Sequence, residues 1–113
     1  MKLFNAIATA ALIGTSLITI NPVEARCTMF TPNPPVSKSV ECSKGVVVKQ
    51  KSNLIHYRIY SNSTLFADVV LENNKTASLQ LISNGTFYHG YWERNGDEVT
   101  LLFENYRAFS FFV

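Results

Sequence analysis

From Gly45 onward, polar clusters interrupt the chain every eight to twelve residues, and apolar and polar side chains alternate in the runs between them. The clusters are Lys51-Ser52-Asn53, Ser61-Asn62-Ser63, Asn73-Asn74-Lys75, Asn84-Gly85 and Asn95-Gly96, with Asn105 last. A period of two in runs rich in Val, Ile, Thr, Tyr and Phe is the pattern of half-buried strands. It predicts them near 45–51, 54–60, 64–72, 76–83, 86–93, 98–104 and 108–113. No stretch beyond residue 25 keeps an i, i+3, i+4, i+7 apolar pattern long enough for a helix. The expected fold is all-β, an antiparallel meander of about six or seven strands closing as a small barrel or sandwich.

Asn-Gly between alternating runs signals a two-residue hairpin loop, because a type I′ turn needs positive φ at both central residues. Placed at Asn84-Gly85, such a loop sets Leu79 opposite Gly90 and Leu81 opposite Tyr88. Placed at Asn95-Gly96, it sets Gly90 opposite Leu101 and Trp92 opposite Val99. Both registers turn Tyr88, Gly90 and Trp92 to the apolar face. Carried outward with three-residue loops at 61–63, 73–75 and 105–107, the same parity predicts the rest of the core. Its members are Ile55, Tyr57, Ile59, Leu65, Ala67, Val69, Leu71, Ala77, Leu79, Leu81, Val99, Leu101, Phe103, Phe109, Phe111 and Val113.

Residues 1–25 read as an export signal. Lys2 gives a positive start, Leu3 to Ile20 an apolar helix, Pro22 a break, and Val23-Glu24-Ala25 a site for signal peptidase after Ala25. The apolar run is short and hydroxyl-bearing for a spanning helix, so no stable membrane span is expected after cleavage. The leader MKLFNAIATAALIGTSLITI resembles those of small exported cyanobacterial proteins. Export to a secreted or periplasmic location puts Cys27 and Cys42, fifteen positions apart, in an oxidising compartment where they should pair. The segment 26–44 is then a disulfide-pinned, Pro-rich stretch ahead of the β domain at 45–113. Pro32, Pro34 and Pro35 argue that it is no central strand.

Composition narrows the function. A hydrophobic share of 47% with 16% charged residues is globular, and a net charge of +2 is too small for a nucleic-acid footprint. Two cysteines exclude a four-Cys zinc site. There is no Gly-rich phosphate loop and no His-Glu-x-x-His, so no metal and no cofactor are expected.

The same parity collects polar residues on the opposite face. His56, Asp68, Gln80 and His89 should form a row across four strands, with Arg58 one step along. Strands ~4.8 Å apart put the two imidazoles ~14 Å apart, too far to share one metal ion. His56 and Asp68 could orient a general base, yet no Ser or Cys nucleophile falls beside them. Phe66, Phe87, Tyr91 and Tyr60 share this face and, with the polar row, make a candidate binding face. The pattern Asn-x-Thr at Asn62, Asn74 and Asn84 matches glycosylation acceptors, but in a chain with a bacterial-type leader it reads as turn chemistry.

The stretch Gly90-Tyr91-Trp92-Glu93-Arg94-Asn95-Gly96-Asp97-Glu98-Val99-Thr100-Leu101-Leu102-Phe103 resembles a strand–turn–strand unit of small lipocalin-like periplasmic β-barrels. It is also similar to one MORN repeat, although no second copy follows. Phe109-Ser110-Phe111-Phe112-Val113 resembles the aromatic terminus of outer-membrane barrels, but those need at least eight strands of about 9 to 11 residues, which the chain beyond residue 25 with this core is not expected to supply. Small exported lysozyme inhibitors are similar in size, leader and barrel architecture, but their pattern has a late cysteine where both here are early. The expectation is a non-enzymatic exported domain that binds an unknown protein or small ligand through a sheet face or barrel interior. The alternative is a structural, envelope-associated protein without a specific ligand.

Overall fold

The computed structural model describes residues 24–113, so the expected signal helix and the leader up to Val23 lie outside the described residues. Nine strands follow one another: β1 (Glu24–Pro32), β2 (Pro35–Ser43), β3 (Val46–Lys51), β4 (Leu54–Ser61), β5 (Thr64–Glu72), β6 (Thr76–Leu81), β7 (Phe87–Asn95), β8 (Glu98–Phe103) and β9 (Ala108–Phe112). A short 3-10 turn at Glu104–Tyr106 links β8 to β9. All nine belong to one antiparallel sheet in the order β2-β1-β9-β8-β7-β6-β5-β4-β3. The seven strands expected from residue 45 onward are present with ends moved by a residue or two. The ladder runs from β2 to β3 and is not closed, in place of the expected barrel or sandwich. One end, β2, nevertheless touches β4 near the other. The Tyr60 N–H donates to Ser43 Oγ at 2.9 Å and Ser61 Oγ to the Glu41 carbonyl at 2.9 Å, so β2 reaches β4 through side chains rather than a backbone ladder.

The larger correction concerns the N-terminal segment. It forms the β1–β2 hairpin, and β1 is an interior strand between β2 and β9. The prolines do not prevent this because they gather at the hairpin tip. Pro32 ends β1, Pro35 begins β2 and pairs with it, and Pro34 lies in the turn. Proline is tolerated at such strand ends because no ladder bond needs its missing N–H. Within β1, Ala25, Cys27 and Met29 alternate toward the interior, a period-two signal that the prolines masked in the sequence.

The core is the inward face of the sheet. Fully buried are Tyr57, Ile59, Ala67, Val69, Leu71, Ala77, Leu79, Val99, Leu101, Phe109 and Phe111, joined by the Cys27–Cys42 disulfide. Ile55, Leu81, Tyr88, Trp92, Phe103 and Val113 pack against them, half-buried. One expected core residue changes places with its neighbour. Between Ile59 and Tyr60 the β4–β5 register slips by one, pairing Ile59 with Ala67 but Tyr60 with Leu65. Phe66 is the extra residue of this bulge, and it packs against the core in the role expected of Leu65.

The turns explain where registers moved. Asn62 and Ser63 both have positive φ, 52° and 65°, so the I′-type loop lies there and not at an Asn-Gly pair. At the first Asn-Gly, a four-residue loop forms with Gly85 at φ 69°, and Asn84 Oδ1 accepts from the Thr86 N–H at 2.9 Å. At the second, the loop is Gly96-Asp97 between the paired Asn95 and Glu98, with Gly96 at φ 62°. Each register is thereby displaced by two: Leu79 pairs with Tyr88, Ala77 with Gly90, Trp92 with Leu101 and Gly90 with Phe103. A shift of two leaves every side chain on its face.

Serine is strained in the left-handed region, where glycine is not. Ser63→Gly should therefore raise stability by about 0.5 kcal/mol, the relief of strain exceeding the extra chain entropy lost on folding. A urea midpoint at or below that of the parent would show that the turn does not hold this conformation in solution.

Candidate binding face

The outward face of β4–β7 gathers most of the polar residues singled out from the sequence. Arg58, and not His56, lies directly opposite Asp68, because the two-residue turn at Asn62-Ser63 and the one-residue bulge at Phe66 each move the β4–β5 pairing by one. His56 still reaches the carboxylate diagonally. His56 Nε2 is 2.8 Å from Asp68 Oδ1, and Arg58 Nε donates to the same oxygen at 3.3 Å. Diagonal cross-strand neighbours lie within reach of long side chains, and each such pair stabilises a sheet by a fraction of a kcal/mol. The three groups are partly buried and hold one another in fixed positions.

Asp68 lies opposite Gln80 as expected, and Gln80 opposite Phe87. The observed row is thus Arg58, Asp68, Gln80 and Phe87. His89 belongs to the next row, His56, Val70, Ser78 and His89, in which Ser78 faces His89. The two imidazoles remain three strand spacings apart, about 14 Å. Among the described residues no three His, Cys, Asp or Glu side chains gather in a way that could hold a metal ion. The carboxylate and the serine attend different histidines. The imidazole that Asp68 holds stands two strand spacings, ~10 Å, from the Ser78 strand position, beyond proton-transfer reach.

The aromatic part of the face lies on β7. Phe87 is 60% and Tyr91 63% exposed, with His89 between them on the same side. The Phe87 and His89 rings stack, their centroids 6.3 Å apart and their planes 8° from parallel. Phe66, expected among these aromatics, faces the core for the reason given above. The sequence reading missed Leu102, which is exposed and directly opposite Tyr91 on β8. Its signal was present: with Val99 and Leu101 inward, an apolar residue at 102 points out.

Beside this face the sheet opens. The first half of β7 pairs with β6 and the second half with β8, so Phe87 to His89 have no strand on the β8 side. The opening is a groove of about 700 Å³ lined by Phe87, Tyr88, His89, Phe103, Glu104 and Arg107 among others. Apolar rings with a few charged groups at the rim are the usual lining of a recognition groove.

No protein-family model, curated protein or solved structure matches this chain. Its function must be read from the face itself.

Proposed function

We propose that the chain is a small exported, non-enzymatic β domain that binds a protein partner through the outer face of β4–β7. The observation that carries this reading is the pair Phe87 and Tyr91. Each is more than half exposed on a face that also carries, two and three strands away, the hydrogen-bonded cluster of His56, Asp68 and Arg58. Large aromatic side chains at the water-facing side of a sheet are enriched at interfaces, where burying them is favourable. Fixed polar groups lose little entropy on binding. The disulfide in a small β domain is compatible with an extracellular location, which the leader pattern also favours. The non-enzymatic reading rests on the separation of serine and carboxylate between two histidines.

The test compares capture of one saturable partner from envelope extract by the parent protein and by Phe87→Ser/Tyr91→Ser. Val36→Ser, at an exposed position on β2, serves as the control. The double variant should lose capture at least ten-fold and the control should match the parent. Equal capture by all three would favour a structural, envelope-associated role without a specific partner.

A further inference from the structure

The inward face carries a second site, which does not depend on the partner-binding reading. At one end of the rolled sheet, the β3–β4 and β5–β6 turns and β7 frame a cavity of about 330 Å³. This is within the range of small-molecule sites. Its floor is apolar: Ile55, Tyr57, Leu71 and Trp92, all buried or packed against the core. Its rim carries Lys51, Lys75 and Arg94 against a single acid, Glu72. Three cations and one anion around an apolar floor leave an excess of positive charge at the mouth. Two of these groups are already positioned. Trp92 Nε1 donates to the Glu72 carbonyl at 2.8 Å, which fixes the indole, and the Lys75 ammonium stands 4.1 Å from the ring centroid. The indole attracts the cation through its π face. An ammonium is thus held where the apolar floor ends.

We propose that this cavity binds a small amphipathic anion, an apolar body against Trp92, Ile55 and Leu71 with a carboxylate or similar group among Lys51, Lys75 and Arg94. An uncharged body of the same shape would bury the same surface but leave the rim cations without a counter-charge. A cationic one would be repelled. The charge on the ligand should therefore decide affinity.

Trp92 is the single tryptophan of the chain, so energy transfer from it reports a probe bound to this protein, and the rim and opposite-face variants assign the signal to this cavity. The probe is 1-anilinonaphthalene-8-sulfonate, and its uncharged counterpart N-phenyl-1-naphthylamine has the same apolar body without the sulfonate. With the folded, oxidised protein, the anionic probe should show emission sensitised by Trp92 and bind at least ten-fold more tightly than the uncharged one. Lys51→Ala/Lys75→Ala/Arg94→Ala should remove that difference while the uncharged probe binds as before. Phe87→Ser/Tyr91→Ser, on the opposite face, should leave both unchanged. Displacement by 1-naphthoate or by decanoate supports the site and tells an aromatic body from an aliphatic one. No sensitised emission, equal affinity for the two probes, an unaltered difference in the triple variant, or displacement by neither carboxylate would each overturn the proposal.

Discussion

Gly90→Ala should unfold at a urea concentration about 3 M below the parent, a loss of about 3 kcal/mol at an m-value near 1 kcal/mol/M. Alanine ordinarily suits a strand better than glycine, so the expected sign depends entirely on local geometry. Gly90 pairs with Ala77 on one side and with Phe103 on the other, at the point where β7 passes from β6 to β8. A Cβ built on Gly90 would clash with the Leu102 carbonyl oxygen, and it would lie 2.9 Å from the Leu102 carbonyl carbon and 3.1 Å from Phe103 Cα. These are backbone atoms of the neighbouring strand. They cannot turn aside as a side chain can, so β8 must move or the ladder must part. Gly90→Val should cost at least as much. His89→Val, one residue earlier and facing water, should change stability by less than about 0.5 kcal/mol. Neutral behaviour of Gly90→Ala would mean that the two strands do not approach this closely in solution.

Replacing both cysteines, as Cys27→Ala/Cys42→Ala, should cost a further large share of stability, about 3 kcal/mol on the chain-entropy account of a loop of this size. The bond joins β1 to β2 within the hairpin, its Cα atoms 5.8 Å apart and both residues in the core. β2 is otherwise exposed along most of its length and paired on one side only. Without the bond, it keeps its ladder with β1 and the two side-chain contacts to β4. Amide exchange should consequently accelerate first in β2, well before β5 or β8. The oxidised protein should offer no thiol to alkylation until it is reduced. Coincident urea transitions of oxidised and reduced protein would show that β2 is held by other means.

Faces were readable from the amino-acid order alone, and so were the strands from residue 45 onward. Eleven expected core positions, from Tyr57 through Phe111, are fully buried. The reason is that strand side chains alternate with a period of two, so apolar spacing assigns a face wherever the exact partner lies. The Asp68–Gln80 pairing and the contact of His56 with Asp68 were legible for the same reason. Both Asn-Gly registers were wrong by two, yet no residue changed face because of them.

What the order of residues left undecided is how far each strand slides, and that is set by turn geometry in the folded chain. Asn62-Ser63 adopts the mirror-image turn although Ser63 has a Cβ, and the bulge at Phe66 restores parity after it. Neither leaves a distinct local mark, since both follow from the fit of β4 and β5 over a shared core. That fit turned Phe66 inward and took it from the candidate face. Tertiary structure also decided the fate of the N-terminal segment. Three prolines in four residues read as a bar to pairing, but the hairpin places all three where a missing N–H costs nothing. Docking against β9 buries Cys27 and makes β1 an interior strand, because the apolar face of Ala25, Cys27 and Met29 has somewhere to go only once β9 is in place.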